Sequence, residues 1–164
     1  MTEKDKVNKY CFDTSTLIGS WRQYYRPSVF GELWVRIGEL IKNGTIIIPE
    51  EVKKEIGTGK DDLAIWLKQY HHYIAPISIE QIEIVKEIVN KYPAVSQYRK
   101  PRPFHADPFV VALAKINSCT VVSEEKGSNN KDNPRIGDLC KEYKIDHCST
   151  AEFFEREGWK FNIK

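Results

Sequence analysis

The chain has 164 residues, enough for one domain with a sizeable core, and its 41% hydrophobic and 29% charged content is that of a globular protein. A formal net charge of +2 makes any nucleic-acid surface a local feature, and no apolar run approaches the ~20 residues of a membrane span. Four cysteines stand singly at 11, 119, 140 and 148, so packed, reduced thiols are expected, and Cys140, His147 and Cys148 lack the spacing of a zinc site.

The N-terminal Met1–Lys6 is polar and mixed in charge, which fits no secretory leader and makes the cytoplasm the expected compartment. Lys9–Phe12 reads as a short strand running into Asp13-Thr14-Ser15-Thr16. Ser20–Pro27, with Arg22, Tyr24, Tyr25 and Arg26, reads as a basic, aromatic loop. A helix follows from Ser28, with Phe30, Leu33, Trp34, Ile37, Leu40 and Ile41 on one stripe, and Asn43-Gly44 ends it.

Thr45–Ile48 is a continuous β-branched run, the pattern of a parallel strand covered on both faces. Pro49 opens a helix whose first turn holds Glu50 and Glu51, with Glu55 one turn beyond Glu51. Gly57-Thr58-Gly59 breaks it, and Asp61-Asp62 starts the next, carrying Leu63, Trp66, Leu67 and Tyr70 at helical spacing. Tyr73–Ile77 reads as a strand or connector, and Ser78 caps a helix with Ile79, Ile82, Val85, Ile88 and Val89 on its apolar side.

Residues 94–106 read as a loop rich in Tyr98, Arg99, Lys100, Arg102 and His105. Asp107 then caps a helix, with Pro108 at its first position and Phe109, Leu113 and Ile116 recurring along it. Thr120–Val122 is a short buried strand ending in Ser123-Glu124-Glu125, and Lys126–Asn133 reads as polar and mobile. A helix over Ile136–Tyr143, a strand over Ile145–Cys148 and a helix capped by Ser149-Thr150 complete the alternation, with Trp159 and Phe161 packing back.

Strands alternating with helices predict a single α/β domain over residues 1–164, Rossmann-like, with a mainly parallel central sheet of four to five strands flanked by helices. Sites in such sheets form beyond the carboxyl ends of the strands. Asp13, Glu55, Asp107 and Glu124-Glu125 all gather toward that edge. Each has a plain structural explanation alone: a turn, a solvated helix residue, a cap, an exposed strand end. Together they repel, by roughly 4 kcal/mol for a pair 4 Å apart at an effective dielectric near 20, which favours bound hard cations such as Mg²⁺ or Mn²⁺. Such ions activate water for phosphodiester hydrolysis. No serine or cysteine triad and no phosphate-binding glycine loop competes, and His71-His72 reads as a helix end.

Four stretches in this order carry a family resemblance: Tyr10–Ile18, Ile46–Ile56, Ala106–Ala114 and Thr120–Glu125, with Gly158-Trp159-Lys160-Phe161 at the close. The chain resembles the PIN domain nucleases, and most closely a PIN-like family of unknown function. The resemblance implies a metal-dependent endoribonuclease, with Asp13, Glu55, Asp107 and Glu125 as the catalytic and metal-holding acids. Glu125 stands where PIN proteins carry Asp, and one extra methylene favours a contact through water. Ser15 stands where many relatives carry Asn. Ser15 and Ser123 are the implied substrate-binding residues; Tyr98, Arg99, Lys100 and Arg102, directly before Asp107, read either as a substrate-binding loop whose side chains suit phosphates and unpaired bases or as a solvated basic loop. RNA is the implied partner; an antitoxin protein and a homodimer are admitted. Asp13-Thr14-Ser15-Thr16-Leu17 also resembles the haloacid-dehalogenase phosphatases, but Ser15 replaces their second Asp, and a response-regulator receiver lacks its acid pair. The serious alternative is an inactive PIN-like module that binds RNA or protein.

Overall fold

The computed structural model of the chain describes residues 8–57, 61–96 and 106–163. Its centre is a four-stranded parallel sheet: β1 (Tyr10–Phe12), β2 (Ile46–Ile47), β3 (Thr120–Val122) and β4 (His147–Cys148), in the order β2-β1-β3-β4. Tyr10 and Cys11 pair with Ile46 and Ile47 on one side, and Tyr10, Cys11 and Phe12 pair with Thr120, Val121 and Val122 on the other. The α/β class and the parallel sheet are those predicted.

Strand alternation explains why these short runs bury so completely. Tyr10 and Phe12 point to one face, where Phe153 of α8 (Thr150–Arg156) meets both rings edge-on at 4.7 and 5.1 Å. Cys11 points to the other, its Sγ 3.8 Å from the Val110 carbonyl of α6 (Asp107–Asn117). With α5 (Ile79–Lys91) packed outside it, α6 is covered nearly all round. That is why the predicted stripe fails there: Val110, Val111, Ala112, Leu113 and Ala114 are all buried, whereas Ile116 is exposed. On α5 the buried face is Gln81, Val85 and Ile88, with Ile79 and Ile82 exposed. Gln81 replaces an apolar residue there because its Nε2 donates to the Phe109 carbonyl at 3.1 Å.

The remaining helices are α1 (Thr14–Gly19), α2 (Gly31–Lys42), α3 (Glu50–Gly57), α4 (Asp62–Lys68) and α7 (Ile136–Glu142). Caps predicted at Asp61, Ser78 and Ser149 are present, each side chain accepting from the backbone three residues on. The predicted Ser20–Pro27 loop is instead helical over Ser20–Tyr24, in a π-type turn continuing α1. Aromatic packing holds it: Trp21 lies 4.7 Å from Trp34 and 5.5 Å from Trp66, and Tyr25 lies 5.0 Å from Phe154. Trp159 stacks on Phe154 and Phe161 meets it edge-on, so the chain end packs back as predicted. All four cysteines are free and buried, as expected of packed thiols.

Candidate functional site

The sheet order creates the crevice. After β1 the chain crosses toward β2, and after β3 it crosses the other way toward β4, so the segments leaving these two neighbours diverge. That is the switch point at which open α/β sheets place ligands. Asp13 leaves β1 and Ser123 leaves β3, side by side at this point.

Asp13 is fixed from three directions. Its backbone N–H donates to the Val122 carbonyl at 3.0 Å, and Thr16 Oγ1 donates to the same carbonyl at 2.8 Å. Asp13 occupies the N-cap of α1, but its carboxylate makes no capping bond. It turns instead to two hydroxyls: Ser15 donates to Asp13 Oδ2 at 2.9 Å, and Ser123 donates to the same oxygen at 3.0 Å. Each hydroxyl has one proton, so the 3.1 Å approach of Ser15 Oγ to Ser123 Oγ adds no third bond when both face Asp13. Behind them the Glu124 N–H donates to Ser15 at 3.2 Å and the Glu125 N–H donates to Ser123 at 3.1 Å. Each donor polarises the next, so the two hydroxyls are aimed at the same carboxylate oxygen.

The result is a carboxylate only 2% exposed with a strongly held Oδ2. Among the described residues no donor reaches Asp13 Oδ1, and no Lys, Arg or His pairs with the charge. A buried charge without a cation is costly, and an oxygen that no donor engages is a ready acceptor for one.

The other acids are placed as follows. Glu55, 6% exposed on α3, accepts from Thr14 Oγ1 at 3.1 Å, which ties it to the residue beside Asp13. Asp107 is 8% exposed and is the first residue of α6; Ala106 takes the N-cap, so Asp107 is not the cap that the sequence suggested. Pro108 at the second position already fixes the helix start without a capping side chain. Burial, and then the fields of Asp13 and Asp107, push the Cys140 thiol up to about 12, so both aspartates act on the same buried sulfur. Glu124 is committed elsewhere: its Oε1 accepts from the Thr150 N–H at 2.9 Å and from the Thr150 hydroxyl, extending the N-terminus of α8. Glu125, half-buried, carries the N–H that supports Ser123.

Donor chemistry and donor geometry give different answers for a metal. The donors here are all oxygen, which suits Mg²⁺ or Mn²⁺. Yet among the described residues no three His, Cys, Asp or Glu side chains converge in a group able to hold an ion. The same holds for Cys140, His147 and Cys148, which form no zinc site. An ion here would draw few ligands from these residues and keep several waters, a state Mg²⁺ tolerates.

Tyr98, Arg99, Lys100, Arg102 and His105 lie outside the described residues. The basic, aromatic stretch over Ser20–Pro27 is partly neutralised: Arg22 Nε donates to Asp61 Oδ2 at 2.9 Å, a second guanidinium bond goes to the same oxygen, and Arg26 donates to the Arg22 carbonyl. Sequence reasoning missed Thr14 and Thr16. Their only signal was a run of hydroxyl residues directly after a strand.

A parallel α/β sheet with a braced aspartate at its switch point defines the class, a Rossmann-like domain with an acidic crevice. The family model described as "Domain of unknown function (DUF4411)" matches residues 10–161, and the chain belongs to this family. No curated protein matches it. Two solved structures are similar over most of their length. One is PAE2754 from Pyrobaculum aerophilum, 14% identical, covering 93% of this chain and 97% of that one at a TM-score of 0.48. The other is VapBC2 from Rickettsia felis bound to a promoter DNA fragment, 16% identical, covering 85% of this chain and 97% of that one at a TM-score of 0.47. Among the described residues no helix is long and apolar enough to cross a membrane.

Proposed function

We propose that the protein is a divalent-metal-dependent endoribonuclease, with Asp13, Glu55, Asp107 and Glu125 as its acids and Ser15 and Ser123 as the groups that orient Asp13. The observation that carries this reading is Asp13 itself: nearly buried, braced at Oδ2 by two hydroxyls, and without a cation among the described residues. The motif resemblance to PIN nucleases supports the assignment of RNA as substrate. When bound, Mg²⁺ or Mn²⁺ would lower the pKa of a coordinated water and stabilise the oxygens of an in-line displacement.

The chain's own residues then have separate tasks. Ser15 and Ser123 hold Oδ2 of Asp13, and among the described residues no donor engages Oδ1. Thr14 fixes Glu55 by its Oε2. The burial of these carboxylates excludes bulk water and strengthens their hold on a cation. Tyr98, Arg99, Lys100 and Arg102 precede Asp107 in sequence and are assigned to the phosphate backbone and unpaired bases. An antitoxin partner and a homodimer rest on the motif resemblance alone.

The second reading is an inactive RNA- or protein-binding module, and the lack of a convergent three-ligand group among the described residues favours it. Incubating purified protein with a mixed RNA pool in Mn²⁺, in Mg²⁺ and in chelator separates the two. Cleavage that requires the metal supports the nuclease. Cleavage that persists in chelator sinks the mechanism, and tight binding without cleavage favours the module.

A further inference from the structure

The segment between β3 and α7 reads as mobile in sequence but is an organised loop. Its anchor is Asp138 on α7, whose Oδ2 accepts from the Ser128 N–H at 2.9 Å, the Ser128 hydroxyl at 3.1 Å and the Arg135 N–H at 2.9 Å. Its Oδ1 faces the Asn129 N–H at 3.4 Å. A second centre lies within the loop, where Asn130 Oδ1 accepts from the Asp132 and Asn133 N–H groups at 3.1 and 3.2 Å. The backbone of α7 approaches so closely that a Cβ on Gly137 would come within 2.8 Å of the Gly127 nitrogen. So the N–H groups of Ser128, Asn129, Asn130, Asp132, Asn133 and Arg135 all find acceptors within the loop and Asp138, which gives the loop a defined shape.

This loop continues directly from Ser123-Glu124-Glu125, whose hydroxyl and N–H groups brace Asp13. It carries three exposed cations, Lys126, Lys131 and Arg135. Among the described residues none of them forms an ion pair, unlike Arg22, Arg36, Lys54, Lys91 and Arg156. Cations held on an internally bonded loop that continues from the segment bracing Asp13 fit a ligand that is anionic along its length and passes close to Asp13.

We infer that the Lys126–Arg135 loop is a preformed clamp for the phosphate backbone of single-stranded RNA leading into the Asp13 crevice. This rests on the proposed ribonuclease reading for the choice of RNA over another polyanion. Lys126, Lys131 and Arg135 contact phosphates, and Asp138 is a positioning residue that acts through the loop's backbone.

The test is fluorescence anisotropy of a labelled single-stranded RNA with the full chain in chelator, where cleavage is off, across a salt series. Removing three phosphate contacts in K126Q/K131Q/R135Q should make the log–log salt slope shallower by roughly 2 and weaken binding about a hundredfold at 0.1 M salt, from ~0.7 counterions per contact. Asp138→Asn keeps all three cations, so it should retain the slope, weaken binding severalfold and lose amide-exchange protection at Ser128, Asn129 and Arg135. An unchanged slope in the triple variant, or no RNA binding by the wild type, overturns the clamp. So does a polyglutamate peptide that binds as tightly as the RNA with the same loss in the triple variant, since the surface would then serve an acidic protein. Cleavage by the wild type in Mn²⁺ is read separately, so a clamp without a nuclease and a nuclease without a clamp give different results.

Discussion

Replacing Asp13 by Asn keeps the shape of the side chain and removes its charge. An amide oxygen at the Oδ2 position still accepts from Ser15 and Ser123, now 2.9 and 3.0 Å away, but as neutral rather than charge-assisted bonds. Such bonds are about half as strong, a loss of roughly 1–2 kcal/mol over the pair. Against this, the variant no longer buries a carboxylate that is 2% exposed and lacks a cation among the described residues, a relief of several kcal/mol at most. In chelator the Asn variant should therefore melt no more than a few degrees below wild type, and above it where the relief exceeds the loss. Mn²⁺ at about 100 times its dissociation constant should stabilise the wild type by about 2.7 kcal/mol. For a domain of this size that raises Tm by roughly 5–10 °C. The Asn variant should show little of this rise. Thermal melts by circular dichroism with and without Mn²⁺ provide the measurement, and an Asn variant that gains as many degrees as wild type would refute the assignment of Asp13 to the metal.

Three further outcomes follow from individual contacts. Glu124→Ala removes the acceptor for the Thr150 N–H and hydroxyl at the start of α8, so it should cost about 1 kcal/mol and lower Tm by roughly 2–4 °C in thermal melts. Gly38→Ala should destabilise by about 1–3 kcal/mol in urea titrations even though Ala favours helix by ~1 kcal/mol, because its Cβ would overlap the Tyr70 hydroxyl. At Asp138 burial raises the carboxyl pKa, but bonds from the backbone of Ser128, Arg135 and Asn129 outweigh it and hold the group below the ordinary carboxylate range. A depressed folded pKa contributes stability that is full above the unfolded value near 3.9 and lost as pH falls through the folded one. Amide exchange in the Lys126–Arg135 loop should thus stay protected at pH 5 and lose protection below about pH 4, whereas an Asp138→Asn chain should show no such transition.

Much of the fold was legible because strand and helix patterns here obey burial. Thr45–Ile48 and Thr120–Val122 are apolar because both faces of the sheet are covered, and Asp61, Ser78 and Ser149 announce helices by their caps. The failures have tertiary causes. Ser20–Tyr24 is helical because Trp21 and its aromatic neighbours pack, which local propensity does not encode. The Lys126–Asn133 stretch looks like a mobile linker until Asp138, ten residues beyond Ser128, is seen to gather its N–H groups. At the site, the position of Asp13 after a strand was readable, but the two hydroxyls on one oxygen join residues 110 positions apart, and no local pattern reports that. Glu124 and Glu125 look equivalent in sequence. Only the bond from Thr150 distinguishes the glutamate that holds α8.

Metal-dependent cleavage of RNA at Asp13 is the activity on which the proposed function stands. The direct measurement is the cleavage rate of a labelled RNA by wild type and Asp13→Asn, prepared identically and titrated with Mn²⁺ from a chelated start. Wild-type cleavage should rise from zero with Mn²⁺, and the Asn variant should stay at background throughout. Equal rates in the two proteins, or wild-type cleavage already present in chelator, would contradict it.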